Sequence, residues 1–285
     1  MSSQQAKTGG RSLSKSVIVG VLLGAAFLLS VLIFKELFIL LAAIAAGGGA
    51  WELAAALRIK GWHVPRVPAT VGSALLMPIT YYGGAELQWL GVLAIVVALI
   101  LWRIVELLLD SRLYPNQSLR LTLRDFAASA FVVIYLPLMT SFTMLLMRRE
   151  DGSMWILAFV VTVSMVDTMG YLIGRQFGRH KLAPGVSPKK TWEGLLASVT
   201  AGLTSAILFS VLGLHLSWWV GLLFGAVLLL GAVFGDLAES LIKRDLGVKD
   251  MSSVLPGHGG VMDRLDSILP TALLTYLFAS IVLPL

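Results

Sequence analysis

The sequence predicts an all-α, polytopic membrane protein with about nine transmembrane helices, its N-terminus in the cytoplasm and its C-terminus outside. Three observations predict this fold: the composition, the lengths of the apolar runs and the distribution of basic residues. The 285 residues are 57% hydrophobic and 13% charged, whereas soluble domains are roughly 45–50% apolar and about 25% charged. A soluble protein of this length would leave much apolar surface in water, so lipid is the expected surrounding.

The apolar runs have the length that a bilayer requires, which is about 20 residues for each helix. The nine stretches that approach this length are 16–34, 37–57, 67–83, 87–109, 125–147, 153–174, 193–213, 217–241 and 265–285. The first stretch follows basic residues, as in a signal peptide, but it exceeds the roughly 7–15 apolar residues of a cleaved signal. The third stretch is short, contains two prolines and is the weakest of the nine.

Basic residues separate between the two sides that nine helices create. With the N-terminus inside, 19 of the 22 Lys and Arg residues fall in cytoplasmic segments, and Lys35, Arg148 and Arg149 fall outside. Cytoplasmic loops of membrane proteins retain Lys and Arg in this way. The net charge of +6 therefore indicates inward-facing loops, and no nucleic-acid partner is expected. The compact length without an organelle-targeting signal favours the inner (plasma) membrane of a bacterium.

The chain divides into two zones. Residues 1–150 are mainly apolar and are expected to form a scaffold of five transmembrane helices. Residues 151–285 are expected to form the catalytic region, because their four helices flank two long polar loops at about 175–192 and 242–264. Loops on a rigid scaffold commonly carry function. Both loops lie on the predicted cytoplasmic side, so one active site can use both.

The eighth helix carries a polar stripe where it leaves the membrane. Asp236, Glu239, Ser240 and Lys243 are spaced i, i+3, i+4 and i+7, which places them on one face of a helix. An ionised carboxylate within an apolar run is costly and marks a candidate functional site. A structural ion pair with a neighbouring helix is the alternative interpretation.

The loop after this helix has the residues of a phosphate and cation site. His258 is flanked by glycines that include Gly259 and Gly260, and glycines let backbone amides approach an anion closely. Asp263 and Asp266 follow in the first turn of the last helix. Because Mg²⁺ typically uses one or two carboxylates together with substrate phosphates, these residues predict a divalent-cation site. A capped helix after a flexible glycine loop is the alternative.

The loop before the seventh helix offers cations and hydroxyls. Its core reads Ser-Pro-Lys-Lys-Thr, includes Ser187, Lys190 and Thr191, and predicts a grip on a triphosphate. The residue order is not that of a P-loop, and an ordinary basic loop is the alternative. Upstream, Asp167 lies within the sixth apolar run and is a candidate site residue. A pair with Arg175 is its alternative role.

Several other chemistries are excluded by residue type or spacing. The chain has no cysteine, which rules out disulfides and thiolate ligands. No two histidines have metal-ligand spacing, so zinc is not expected, and His63, His180 and His215 are interpreted as incidental. No G-x-S-x-G motif is present, which argues against a serine hydrolase.

The segment from Ser240 to Asp266 resembles the signature of the phosphatidate cytidylyltransferase family. It reads S-L-I-K-R-D-L-G-V-K-D-M-S-S-V-L-P-G-H-G-G-V-M-D-R-L-D and meets each fixed position of the family pattern. The segment from Asp167 to Gly194 is similar to two further blocks of that family. Its Met169-Gly170 pair departs from the small residues such as Ala that are usual there, which bears on local packing. No motif is matched in the N-terminal 150 residues.

The resemblance implies transfer of CMP from CTP to phosphatidic acid, which yields CDP-diacylglycerol and pyrophosphate at the cytoplasmic face of the bilayer. It implies Mg²⁺ as the cofactor, with Asp236 and Asp263 as ligands and with Asp266 and Glu239 in or near the same shell. The other implied roles are phosphate contacts from Lys243, Arg244, Lys249 and Arg264, nucleotide contacts from Ser187, Lys190 and Thr191, and a loop over the pyrophosphate shaped by His258, Gly259 and Gly260. A second cation and a homodimer stay open.

Three alternatives compete with this function. A related enzyme could use CTP on an ether lipid or a polyprenol. A transporter would need polar residues spread over several helices or an inverted repeat, whereas the charged residues here cluster at one end of the last four helices. A CDP-alcohol phosphotransferase would require the motif D-G-x-x-A-R…D-x-x-x-D, which is absent.

Overall fold

The computed structural model describes residues 13–109, 118–183, 187–248, 251–252 and 260–283. These residues form ten α-helices, two π-helical turns and one short hairpin. In chain order the helices are α1 (Leu13–Leu32), α2 (Lys35–Ile59), α3 (Arg66–Leu109), α4 (Leu119–Val133), α5 (Met139–Met147), α6 (Gly152–Phe177), α7 (Trp192–Leu208), α8 (Trp218–Leu246), α9 (Met262–Leu265) and α10 (Ile268–Val282). The π-helical turns are Ile134–Leu138 and Phe209–Gly213, and the strands are β1 (Lys181–Ala183) and β2 (Ser187–Thr191).

Within the described residues, seven helical segments are long and apolar enough to cross a membrane. They are Lys35–Ile59, Arg66–Leu109, Leu119–Met147, Gly152–Phe177, Trp192–Gly213, Trp218–Leu246 and Met262–Val282. The first predicted stretch corresponds to a shorter apolar segment, Gly20–Leu32. The prediction of an all-α, polytopic membrane protein is therefore confirmed. The number of crossings and the side of each terminus stay predictions.

Helix α3 joins two of the predicted stretches into one segment. A straight helix of its 44 residues would be about 66 Å long, roughly twice the hydrocarbon thickness of a bilayer. It is not straight, because Gly84 has φ 76° and ψ −163°, a conformation that only glycine adopts readily. The Arg148 guanidinium donates to the Tyr81 carbonyl oxygen at 2.6 Å. The break thus falls between the stretches predicted at 67–83 and 87–109.

The helices of the C-terminal half are joined by aromatic packing in the core. The Trp155 ring of α6 meets the Phe224 ring of α8 edge-on, with centroids 5.2 Å apart. Phe224 in turn lies 5.2 Å from Phe278 of α10. Such pairs contribute about 0.5–1.5 kcal/mol beyond the burial of their surface. This cluster holds α10 against α6 and α8, which both contribute to the polar cavity described below.

Helices α6 and α7 approach closely through glycines. A Cβ on Gly194 would lie 2.8 Å from the Gly170 carbonyl oxygen, and a Cβ on Gly170 would overlap the Ser198 hydroxyl. The Ser198 hydroxyl donates to the Val166 carbonyl oxygen at 2.7 Å, across the same interface. The small residue at 170 therefore has a packing reason, and the departure from the family pattern is confined to Met169.

The loop predicted at about 175–192 contains a hairpin that leads into α7. Strands β1 and β2 pair antiparallel, with Lys181 opposite Thr191. The Thr191 hydroxyl accepts a hydrogen bond from the Gly194 backbone N–H at 3.2 Å and so caps α7. The Trp192 backbone N–H donates to the His180 carbonyl oxygen at 3.0 Å. These contacts fix Lys190, which precedes the cap, beside the C-terminal half of α8.

Candidate active site

A polar cavity of about 360 Å³ opens where α6, α8 and α9 meet. Its lining comes from one residue of α6, the stripe on α8, helix α9 and the two residues that link α9 to α10. The nine lining residues are Asp167, Asp236, Glu239, Ser240, Lys243, Asp263, Arg264, Asp266 and Ser267. Every member of the polar stripe that the sequence predicted on the eighth helix is among them. Asp236 and Asp263, the two predicted metal ligands, lie on the same cavity.

Lys243 joins two carboxylates of the cavity. Its ammonium lies 2.9 Å from Glu239 Oε2, one helical turn earlier on α8, and 2.8 Å from Asp263 Oδ1 of α9. Glu239 is only 3% exposed, and a buried carboxylate requires such a partner. The lysine therefore holds α8 and α9 together at the cavity, and it keeps a positive charge beside the position of Asp263.

Asp263 is fixed by backbone amides as well as by Lys243. Its Oδ2 accepts from the Gly260 backbone N–H at 2.8 Å, and Oδ1 accepts from the Met251 backbone N–H at 3.1 Å. Charge-assisted hydrogen bonds of this kind are shorter and stronger than neutral ones. The carboxylate therefore has one orientation, which is the property that a metal ligand or a phosphate-facing group needs.

The first of the two predicted loops reaches the polar stripe of α8 at Asp236. The Lys190 ammonium of β2 forms a direct ion pair with the Asp236 carboxylate of α8. Both side chains keep substantial exposure, 46% and 38%, so a ligand can reach this pair. The alternative for the stripe was a structural ion pair with a neighbouring helix, whereas the partner of Asp236 is a lysine of strand β2 and the pair lies at the open cavity.

The charges that line the cavity are unequal. Five carboxylates line the cavity beside one ammonium and one guanidinium, and Lys190 at its edge supplies a third cationic group to Asp236, so among the described residues carboxylates outnumber cations by two. Within the described ranges, no group of three or more His, Asp or Glu side chains is placed to hold a metal ion by itself. Mg²⁺ commonly binds through one or two carboxylates and completes its shell with water and substrate phosphates. The donor set fits a hard divalent cation of that kind.

The other predicted site residues have different positions. The Thr191 hydroxyl serves as the α7 cap and the side chain is buried, so a contact to a nucleotide stays a prediction. Arg244 is exposed on α8 and is not part of the cavity lining. Gly260 supplies an amide to Asp263, as described above. Lys249, His258, Gly259 and the side chain of Ser187 lie outside the described residues.

The alternative role of Asp167 is not found. Arg175 donates to the Tyr171 hydroxyl at 2.9 Å and lies over the Tyr171 ring. Among the described residues no ion pair joins Arg175 to Asp167, which instead faces the cavity.

One residue near the site was missed by the sequence analysis. Glu52 of α2 is buried, and its carboxylate accepts hydrogen bonds from the Ser252 hydroxyl and from the Val261 and Met262 backbone N–H groups. The signal that could have found it is an acidic residue within the apolar run 37–57, because an intramembrane carboxylate is a candidate site residue by default.

A second polar group lies away from the cavity, among the ends of α2, α3 and α4. Arg103 and Asp125 form an ion pair of 2.8 Å and are 1% and 2% exposed. His63 Nε2 lies 2.7 Å from Glu106 Oε2, and the His63 backbone N–H donates to Asp125 at 3.0 Å. His63, Arg103, Glu106 and Asp125 are referred to below as the Arg103 cluster. The interpretation of His63 as incidental is therefore replaced by a structural role in this cluster.

Comparisons with known proteins identify the family of the chain. Residues 14–282 match the sequence model of the cytidylyltransferase family. A phosphatidate cytidylyltransferase from Mycobacterium bovis is 36% identical over 273 residues, which cover 94% of this chain and 88% of that protein. The enzyme of the same name from Mycobacterium leprae is 34% identical over 280 residues, covering 96% of this chain and 90% of that protein. A chloroplastic phosphatidate cytidylyltransferase from Arabidopsis thaliana is 43% identical over 134 residues, covering 44% and 33%.

Proposed function

This chain belongs to the cytidylyltransferase family, and on that premise we propose that it transfers CMP from CTP to phosphatidic acid. The phosphate of phosphatidic acid attacks the α-phosphorus of CTP. A new phosphorus–oxygen bond forms, the bond between the α-phosphorus and the bridging oxygen breaks, and pyrophosphate leaves. The products are CDP-diacylglycerol and pyrophosphate, and the reaction belongs to phospholipid biosynthesis.

The observation that carries this proposal is the polar cavity where α6, α8 and α9 meet. A phosphate monoester is a good nucleophile near neutral pH, so the reaction needs little general-base catalysis. The obstacle is repulsion between two anionic substrates, and a lining with surplus carboxylates cannot offset it unaided. The cavity therefore favours a reaction in which a cation and the phosphates bind together.

Asp236 and Asp263 would hold a divalent cation such as Mg²⁺, with Asp266 and Glu239 nearby. When bound, that cation supplies positive charge that offsets the repulsion and stabilises the leaving pyrophosphate. Lys243 stays beside Asp263 and Glu239 through contacts of 2.8 Å and 2.9 Å, and it can turn its one remaining N–H group towards a phosphate. Arg264, also on the lining, offers a planar pair of donors to phosphate oxygens.

The location of the site suits a lipid and a nucleotide. The chain is a multi-pass membrane protein, so the acyl chains of phosphatidic acid can stay in the bilayer. The positive-inside distribution supports a plasma-membrane protein whose cavity faces the cytoplasm, where CTP is found. A homodimer stays open and is tested by the mass of the detergent-solubilised protein.

The proposal is tested with purified protein, labelled CTP and a series of lipid acceptors. We expect label in CDP-diacylglycerol with phosphatidic acid, one pyrophosphate for each product, and little product with an ether-lipid phosphate or a polyprenol. Preference for the ether lipid or the polyprenol would replace the acceptor in the proposal. Absence of any CMP transfer from a folded protein would contradict the proposal itself.

A further inference from the structure

Glu52 is a carboxylate that the reaction proposed above does not use. It lies in α2, within the half of the chain expected to serve as scaffold, and it is 4% exposed. Burial of an ionised carboxylate costs several kcal/mol unless hydrogen bonds replace the lost water. Within the described residues its carboxylate is held by neutral donors only: the Ser252 hydroxyl at 2.5 Å, the Val261 backbone N–H at 3.1 Å and the Met262 backbone N–H at 2.9 Å.

These three donors come from both ends of one stretch of chain. Ser252 precedes residues 253–259, and Val261 and Met262 follow them. One carboxylate from α2 therefore ties the two ends of this stretch together. Its hydrogen-bond partners are 200 or more residues away in the sequence, so the contact joins the first half of the chain to the last.

The same two ends also hold Asp263. The Met251 and Gly260 backbone N–H groups donate to the Asp263 carboxylate, at 3.1 Å and 2.8 Å. At each end, one residue donates to Asp263 and the next residue donates to Glu52: Met251 and then Ser252 at the first end, Gly260 and then Val261 at the second. A backbone that is fixed by Glu52 on one side therefore fixes Asp263 on the other.

The space between these groups is closed to any side chain at position 260. A Cβ on Gly260 would lie 2.5 Å from Glu52 Oε2 and 2.9 Å from the Ser252 hydroxyl oxygen. Such distances are not found for real Cβ atoms, and the neighbours that would have to move are the hydrogen-bonded carboxylate and its donor. By contrast, a Cβ on Gly48, which lies in α2 like Glu52, would meet the Val261 side chain at an ordinary contact distance of 3.5 Å.

We propose that Glu52 is a positioning residue, which orients Asp263 for the divalent cation by holding the Ser252 and Val261–Met262 segments against α2. This inference rests on the proposed function, because it assigns Asp263 to the cation. Glu52 touches neither substrate nor cation in this account. It acts through the backbone, as the outer partners of metal ligands do, and loss of such partners typically costs about 10–100-fold in metal affinity or activity.

The test compares Glu52→Ala, Glu52→Gln and Asp125→Asn with the unaltered protein, in detergent and in the presence of CTP. Two quantities are measured: Mn²⁺ binding, from the electron paramagnetic resonance signal of free Mn²⁺, and the Mg²⁺ concentration that half-activates CMP transfer. We expect Glu52→Ala to weaken both by about 10–100-fold. Glu52→Gln keeps one carbonyl acceptor for the two backbone amides and should lose less.

Asp125→Asn is the matched control. It also alters a buried carboxylate, because it breaks the Asp125–Arg103 ion pair, but it does not touch the backbone that holds Asp263. We expect it to lower the melting temperature while its Mn²⁺ affinity stays unchanged. If Glu52→Ala behaved like Asp125→Asn, with reduced stability and unaltered Mn²⁺ affinity, the positioning role would be overturned. An unaltered protein that binds Mn²⁺ but transfers no CMP would instead contradict the proposed function alone.

A second pair of variants keeps the test decisive if Glu52→Ala does not fold. Gly260→Ala should weaken Mn²⁺ binding about as much as Glu52→Ala, because the added methyl displaces the carboxylate or its donor. Gly48→Ala adds the same methyl against the side chain of Val261 and should leave Mn²⁺ binding unchanged. Equal Mn²⁺ affinities in Gly260→Ala and Gly48→Ala would contradict the proposal.

Discussion

Two groups of charged side chains lie among the apolar helices, and they differ in how their charges are matched. In the Arg103 cluster, a fully buried guanidinium meets Asp125 at 2.8 Å and Glu106 at 3.3 Å, and the neighbouring Arg124 guanidinium lies 3.8 Å from Asp125, so two cations match two carboxylates. In the cavity, five carboxylates meet three cations, counting Lys190 at its edge, and the surplus lines an open space of about 360 Å³. Removal of one partner from a matched buried pair destabilises the fold, whereas an unmatched group on an open cavity is suited to a ligand with positive charge.

Among the variants considered, substitution of Asp263 should cause the largest loss of CMP transfer. Asp263→Asn keeps the shape of the side chain but removes the charge that would hold the cation, so we expect CMP transfer to fall by at least about a hundredfold. The amides of Met251 and Gly260 can still donate to an asparagine carbonyl oxygen in the place of Oδ2, but Lys243 loses the charge of one of its two carboxylates and keeps only Glu239. We therefore expect the melting temperature to fall, but by less than in Asp125→Asn. Labelled-CTP assays and thermal melts in detergent check both. Near-normal turnover of this variant would contradict the role of Asp263.

Substitution of Asp125 should show the opposite pattern. Asp125→Asn leaves the buried Arg103 guanidinium without the charge of its closest carboxylate, and breaking one side of a buried pair costs about 3–5 kcal/mol. We expect a clear loss of thermal stability and normal turnover for each folded molecule. A variant that kept its stability but lost turnover would remove the distinction between the two groups.

The exposed ion pair at the cavity edge should give an intermediate result. Lys190→Ala removes the partner of Asp236, but exposed pairs contribute only about 0–1 kcal/mol to stability. The loss of a phosphate-binding cation should instead raise the KM for CTP by about tenfold. The control is Lys181→Ala, which removes an exposed lysine from the neighbouring strand. Equal KM values in the two variants would argue against a nucleotide contact by Lys190.

The smallest effect concerns the pH dependence of stability in the Arg103 cluster. Burial lowers the pKa of His63 below its usual range, and the Arg103 charge lowers it further, against the opposing charge of Glu106. Unfolded histidine titrates near about pH 6.5, so the stability that a neutral His63 contributes is complete above that pH. It is lost as the pH falls through about 6.5 towards the lower pKa of the folded protein.

This dependence is measured by melting temperatures between about pH 7.5 and about pH 5. The unaltered protein should lose more stability over this range than His63→Gln, which has no titrating ring. Identical pH profiles would mean that His63 does not contribute in this way.

Much of the architecture follows from sequence, because lipid imposes a length and a polarity on each helix. The apolar runs fixed the positions of the helical segments, and the break at Gly84 fell where the run was interrupted. The polar stripe from Asp236 to Lys243 was also predictable, since helical spacing alone places its members on one face. Three of the seven charged residues that line the cavity, Asp236, Glu239 and Lys243, were found for this reason.

Contacts between distant segments were not predictable from a single sequence. Glu52 meets Ser252 across 200 residues, and His63 meets Asp125 across 62. Hydropathy and spacing describe one helix at a time, so they carry no information on which helices become neighbours. The ion pair between Lys190 and Asp236 and the capping of α7 by the Thr191 hydroxyl also depend on tertiary packing.

The proposed role of the surplus carboxylates in the cavity is to bind a divalent cation, which lets two phosphates approach each other. Its most direct test is the rate of CMP transfer from labelled CTP to phosphatidic acid as Mg²⁺ is titrated into protein freed of metal with EDTA. We predict no transfer without Mg²⁺ and a return to the full rate as Mg²⁺ is added, in the unaltered protein but not in Asp263→Asn. A full rate in excess EDTA would contradict the claim.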